Sequence, residues 1–297
     1  MDSTKSLLGV ATMVYQDYFF LERWYDYYSK QVGAENLYVF SHGNDPKHRS
    51  IAKDANVINL PRDETMFKFD RRRWRALGHC ATGLLEFYNW MIVADVDEIV
   101  VVDPDAAPTI PDYLIKNYQD TTDGPLNIAP FCLELVHLPE EEPLPILPDE
   151  TILSRRRIFR PNRNYSKPSL VGGPVIFAPG GHRNTLGRRH MPKDLYTLHL
   201  KYFDYATMEK VAVEKQNMVV EAGKLGSGYD ESHGWNRNLD HYREIVASTK
   251  LEGENIDLPR YRAAMQKQIE KYQDQFIWGR ARSNSLFRIP ERFSDVF

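Results

Sequence analysis

Trp90-Met91-Ile92-Val93-Ala94-Asp95-Val96-Asp97-Glu98 is an apolar run that ends abruptly in acid, and a second apolar run, Ile99 to Val102, resumes directly after it. A continuous apolar run of this length reads as a buried strand, covered on both faces as in a parallel sheet. The carboxylates thus interrupt what would otherwise be one core strand. Burying them unpaired is costly, so a cation or a basic partner is expected beside them. Asp95 and Asp97 stand at i and i+2, pointing the same way if the strand continues and converging around a cation if it turns. Hard oxygen ligands, with a possible imidazole, suit Mg²⁺ or Mn²⁺. The alternative is pairing with Arg71, Arg72, Arg73 or Arg75, on the helix that precedes the strand.

Working toward the N-terminus, Leu7 to Val14 reads as another buried strand, and Phe19 to Val32 as a helix with Phe20, Leu21, Trp24, Tyr25, Tyr28 and Val32 at spacings of three and four. Gly33 is its stop signal. Asn36 to Phe40 is a second strand, ending in the turn-rich Ser41 to Pro46. A polar helix from Pro46 to Asp54 follows, then a third strand from Val57 to Leu60 and a long helix from Asp70 to Tyr88. This βαβαβ order predicts an α/β fold with a parallel sheet and ligands at the carboxyl ends of its strands.

Toward the C-terminus the character changes. Residues 103 to 149 are proline-rich, with strands at Leu126 to Val136 and Thr151 to Phe159. The passage Gly172-Gly173-Pro174, a strand from Val175 to Ala178 and Gly180-Gly181-His182 make a tight strand and loop. Leu195 to Leu200 is an apolar strand containing His199, and helices are expected at Tyr205 to Ala222, Asn238 to Ser248 and Arg260 to Phe276.

Composition excludes several classes. The 297 residues carry 38 Lys+Arg against 41 Asp+Glu, a net charge of −3 that argues against a general nucleic-acid binder. Two cysteines, Cys80 and Cys132, with no CxxC, support neither a disulfide framework nor a thiolate zinc site, and fit a reducing compartment. The apolar run at Leu7 is shorter than the ~20 residues a spanning helix needs and lacks a basic leader, so neither a signal peptide nor a membrane anchor is expected. An aromatic content of 12% leaves room for stacking surfaces or lipid-facing patches.

The first strand with its Val14-Tyr15-Gln16-Asp17 ending, the helix Leu21 to Tyr28, the turn Ser41-His42-Gly43-Asn44-Asp45 and the run Trp90 to Glu98 together resemble a bacterial family-2-like glycosyltransferase of GT-A fold. The likeness is to the branch whose acidic motif reads Asp-Val-Asp-Glu, and it covers roughly residues 7 to 205. Gln16-Asp17 stands where the family usually has Asn-Glu, and Tyr28 where a histidine is expected.

The resemblance implies an α/β, GT-A-type (Rossmann-like) mostly parallel sheet flanked by helices, with a helical C-terminal region. Residues 1–203 would be the nucleotide-sugar-binding and catalytic domain with acceptor-side insertions, and 204–297 a helical region packed on it. It implies a metal-dependent, hexosyltransferase-like enzyme that moves a sugar from a nucleotide diphosphate sugar, a UDP-sugar foremost, to a hydroxyl of a glycan, lipid or other acceptor. Asp95, Asp97 and His199 would form the Mn²⁺ or Mg²⁺ site, with Asp97 the direct ligand and Asp95 also beside the donor diphosphate. Asp45 would approach the base or ribose, Thr12 would line the base pocket, and Arg72 or Arg75 would reach the diphosphate, since a guanidinium matches phosphate oxygens. His182, after two glycines that permit close approach, is a further donor contact. For the general base, Asp230 and Glu231, on the glycine-flanked loop Gly226 to Trp235, stand beside Glu134 in the Phe131 to Val136 strand.

The expected partners are therefore a nucleotide-sugar donor and a glycan or lipid-linked acceptor, with no nucleic acid. Lys267, Lys271, Arg280, Arg282, Arg288 and Arg292 among Phe276, Trp278, Phe287 and Phe293 would allow peripheral contact with an anionic membrane, placing a cytoplasmic protein at its inner face. Two other readings stand. A Mg-dependent nucleotidyltransferase also wants carboxylates at a strand end, yet no GxxxxGK[ST] or GxGxxG follows Val14. A non-catalytic carbohydrate- or membrane-surface-binding module would use the aromatics and have no need of Asp95 and Asp97.

Overall fold

The apolar run at the N-terminus forms β1 (Ser6–Val14), which lies between two parallel neighbours, β2 (Leu37–His42) and β4 (Tyr88–Val93). The computed structural model of the protein describes residues 1–119, 124–211, 213, 217 and 238–297. β3 (Asn56–Leu60) continues the sheet outside β2, again parallel. Parallel neighbours need crossovers, and α1 (Tyr18–Val32), α2 (Pro46–Ile51) and α3 (Phe69–Leu84) supply them.

Alternation along β1 assigns its two faces. Leu8, Val10 and Val14 join one core cluster with Phe20, Leu21, Trp24 and Tyr28 of α1. Ala11 and Met13 join a second cluster with Trp74, Leu77 and Ala81 of α3. The side-chain period of two in the strand and the three-to-four spacing in the helices produce this double covering.

The expected mostly parallel sheet is corrected to two mixed six-stranded sheets. In the first, β9 (Leu170–Val171) pairs antiparallel with β4, and β6 (Asn127–Ile128) antiparallel with β9. The second sheet takes in β5 (Glu98–Val102), β7 (Phe131–Val136), β8 (Ile158–Pro161) and β10 (Leu195–Tyr202). Its order from that edge is β5, β10, β7, β8, with β10 and β7 parallel and the other pairs antiparallel. After β4 the chain turns straight into the other sheet, and the proline-rich stretch supplies one longer helix, α4 (Ile110–Tyr118), so antiparallel pairing takes over.

The C-terminal region is not simply helical. Residues 205–211 are helical and α5 (Asn238–Ser248) matches its expected span, while most of the rest of the expected Tyr205 to Ala222 helix lies outside the described residues. β11 (Lys250–Glu254) and β14 (Ser285–Arg288) extend the second sheet beyond β8, so that sheet draws strands from both sides of residue 204. The expected helix from Arg260 to Phe276 is α6 (Pro259–Gln266) followed by a hairpin of β12 (Ile269–Tyr272) and β13 (Gln275–Ile277). Gln273 and Asp274, with φ of 30° and 62°, make its turn. Among the described residues no helix is long and apolar enough to cross a membrane.

Candidate functional site

β4 stops at Val93, and the Glu98 amide donates to the Asp95 carbonyl at 3.0 Å, closing a tight turn from which β5 starts. This turn carries the chain from the first sheet to the second and sets its carboxylates at the junction. The Leu200 amide donates to the Asp97 carbonyl at 2.9 Å, tying the turn to β10. In the second sheet His199 is in register with Glu98 on one side and Glu134 on the other. Residues directly opposite on adjacent strands share a face, so three polar side chains from three strands meet there.

His199 Nδ1 lies 3.0 Å from Glu134 Oε1, and its Nε2 lies 3.9 Å from Asp97 Oδ2. Glu134 is fully buried and also accepts from Arg160 and from Asn162 Nδ2. Burial alone would raise its pKa, but hydrogen bonds from His199 and Arg160 outweigh this and hold it well below the usual range. An ionised Glu134 accepts a hydrogen bond from Nδ1–H, so in the neutral ring the Nε2 lone pair faces Asp97.

Asp95 Oδ1 pairs with Arg73 Nη1 at 2.8 Å and its Oδ2 with Lys167 Nζ at 3.0 Å. Arg73 and Lys167 overcome the effect of burial and keep Asp95 well below the ordinary carboxylate range. Lys167 is buried and also meets Glu98 Oε1 at 2.6 Å. Burial pushes Glu98 up to about 7, against the pull of Lys167 and with the help of the Asp95 charge. Its Oε2 is buried with no hydrogen-bond partner among the described residues.

Asp97, Glu98 and His199 each offer one ligand atom, and these atoms lie within 4.8 Å of one another. Two carboxylate oxygens and an imidazole nitrogen are a fitting set for Mg²⁺ or Mn²⁺. The unpartnered Glu98 oxygen supports that fit, since a buried acceptor without a donor is costly and a cation would relieve it.

The other expected residues fall in different places. Thr12 is fully buried on β1, and its hydroxyl has no hydrogen-bond partner among the described residues. Asp45 caps α2, accepting from the Lys47 amide at 2.8 Å and from the Tyr18 hydroxyl at 2.6 Å. Arg72 pairs with Asp63 on the exposed side of α3, and Arg75 is exposed, so the arginine that reaches the acidic turn is Arg73. His182 donates from Nδ1 to the Asn164 carbonyl at 2.8 Å, and burial together with Lys167 pushes it down to about 4. Glu134, expected as a base, is buried and bonded to Arg160, Asn162 and His199, which suits it to orient His199. Asp230 and Glu231 lie outside the described residues.

Sequence reasoning missed Lys167 and Tyr165. Both sit in the loop between β8 and β9, where periodicity carries no signal. Tyr165 stacks on His199 with ring centroids 3.8 Å apart and an interplanar angle of 22°, and contacts His182 edge-on at 5.9 Å.

No family model and no curated protein matches the chain. Among solved structures it is similar to a mannose-1-phosphate geranyltransferase from Thermus thermophilus, at 11% identity and a TM-score of 0.24, over 95% of this chain and 73% of that one. A likeness that shallow bears on neither fold nor chemistry, which rest on the residues themselves.

Proposed function

We propose that the protein is a metal-dependent glycosyltransferase of GT-A type, moving a sugar from a nucleotide diphosphate sugar, a UDP-sugar foremost, to a hydroxyl acceptor. The observation that carries this reading is the convergence of Asp97, Glu98 and His199 at the junction of the two sheets, beside the last of the parallel strands. Asp97, Glu98 and His199 would hold Mn²⁺ or Mg²⁺, which when bound supplies positive charge for a departing diphosphate. Glu134 fixes the His199 ring and its proton. Arg73 and Lys167 hold Asp95 ionised and the turn in shape. Asp230 or Glu231 is the base that takes the acceptor proton.

The test is a thermal shift of the protein against UDP, GDP, CDP, ADP and TDP, each with and without Mn²⁺ or Mg²⁺, because a ligand that binds only the folded state raises the midpoint. A metal-dependent shift for one nucleotide, lost in Asp97→Ala, is the expected outcome. No shift with any nucleotide would overturn the reading in favour of a glycan- or membrane-binding module.

A further inference from the structure

Tyr165 stacks on His199 and also lines a cavity of about 320 Å³ together with Arg163, His182, Arg189 and Trp278. The loop after β8, the stretch after Gly180-Gly181 and the end of β13 build it. Its charge is one-sided, with two guanidiniums beside the His182 imidazole, and no carboxylate lines it among the described residues.

Arg189 is the unusual member. It is 7% exposed, and no acidic side chain pairs with it among the described residues. Its Nη2 donates to the carbonyls of His182 and Phe276, and its guanidinium lies 5.4 Å from the centre of the Trp278 ring, so its position is set. Burial and the Arg183 cation push its pKa down, the sign of a charge that lacks a counter-charge. A buried cation of this kind is costly unless an anion answers it. Arg163 is held nearby, donating from Nη1 to the Trp278 carbonyl at 3.2 Å. Guanidiniums match the paired oxygens of phosphate, sulfate and carboxylate groups.

We propose that this cavity binds the anionic group of the acceptor, so that the acceptor is an acidic sugar or a phosphorylated carrier and not a neutral glycan. The assignment to the acceptor rests on the transferase reading. A donor diphosphate carries the same chemistry, but its place would be at Asp97, Glu98 and His199, none of which lines the cavity.

The experiment is calorimetric titration of the full chain at constant ionic strength with inorganic phosphate, glucuronate and glucose, and separately with UDP plus Mn²⁺. The proteins are wild type, Arg163→Gln, Arg189→Gln and Asp97→Asn. Phosphate and glucuronate are expected to bind wild type without metal, at least tenfold tighter than glucose. Arg163→Gln should weaken them at least tenfold and leave UDP–Mn²⁺ binding intact; it is the safer variant, because Arg189 also bridges two carbonyls that hold the cavity together. Asp97→Asn should lose UDP–Mn²⁺ and keep phosphate. Phosphate binding that survives Arg163→Gln, disappears in Asp97→Asn or competes with UDP–Mn²⁺ would overturn the subsite. So would wild type that binds UDP–Mn²⁺ but no phosphate. Arg163-dependent phosphate binding by a wild type that ignores UDP–Mn²⁺ would instead overturn the transferase reading and the acceptor assignment, leaving a plain anion site.

Discussion

His199 Nδ1 and Glu134 Oε1 meet at 3.0 Å from directly paired positions on the parallel strands β10 and β7. The pair is buried, so neither group reaches solvent to exchange this partner for water. Its effect is directional. With the proton held on the Glu134 side, the other nitrogen of the neutral ring is an acceptor, and it faces Asp97 and the end of the acidic turn. Strand register thus does for the histidine what a flexible loop would do less well, because neither strand can slip without turning these side chains to the opposite face.

Glu134→Gln keeps the shape of this partner and removes its charge. Mn²⁺ affinity, titrated by electron paramagnetic resonance of the free ion, is expected to fall about 10- to 100-fold, as for other groups that orient a metal-bound histidine. His199→Ala should remove binding altogether. If Glu134 were the general base, the Gln variant would bind Mn²⁺ normally and lose only turnover.

Lys167 joins Asp95 and Glu98, at 3.0 and 2.6 Å, from a position that is itself buried. Removing one partner of such a cluster leaves charge stranded in the interior. Lys167→Met is expected to cost about 3–5 kcal/mol in urea unfolding at pH 7. Adding Glu98→Gln should recover part of the loss, since one of the stranded charges is then gone. A cost under about 1 kcal/mol would mean that water reaches both carboxylates without the lysine.

Much of the first sheet was legible because its signals are local. The runs at β1 and β4 and the helix stripes at Trp24 and Trp74 are read within a window of a few residues. Asp97 stood out as acid at the end of an apolar run, and His199 as a polar residue inside one. Glu98 was masked by the pattern, because it opens the next strand and looks like its polar boundary. The second sheet was hidden for another reason: its order depends on pairing between segments far apart in the chain, such as β14 with β8, which no local period records. The hairpin at β12 and β13 was misread as helix because Ile269, Tyr272 and Phe276 recur at helical spacing. Gln273 and Asp274 turn the chain there with positive φ, and no glycine marks the place.

Gly181 lies where the chain bends under α3, with φ of +66°, and a Cβ there would overlap the Trp74 ring. Both the backbone region and the space exclude a side chain. Gly181→Ala should therefore destabilise by about 2 kcal/mol or more. Trp74 emission should shift to the red as the ring gives way. Unchanged stability would mean that the loop backs off Trp74 at no cost.

His42 carries a pH signature. It accepts from the Asp63 amide at Nε2, 3.0 Å away, has Arg62 Nη1 at 3.2 Å from Nδ1, and stacks on Phe69 at 4.6 Å. Burial, with the Arg62 cation adding to it, pushes the ring down to about 4. Between an unfolded value of about 6.5 and that folded value, the unfolded chain holds a proton that the native one does not. Stability from this group is therefore complete above pH 7, falls as pH drops through 6.5, and is lost by pH 4, with a ceiling of roughly 3 kcal/mol. Glu98, pushed up to about 7, has the opposite sign in the same window, because the native state binds its proton first. Wild type alone would blend the two, so the difference between wild type and His42→Gln is the useful quantity. Urea unfolding at pH 7 and pH 4.5 should show wild type losing at least about 1 kcal/mol more than the variant. Equal losses would mean that His42 titrates at its ordinary value and that the Asp63 and Arg62 contacts do not hold it neutral.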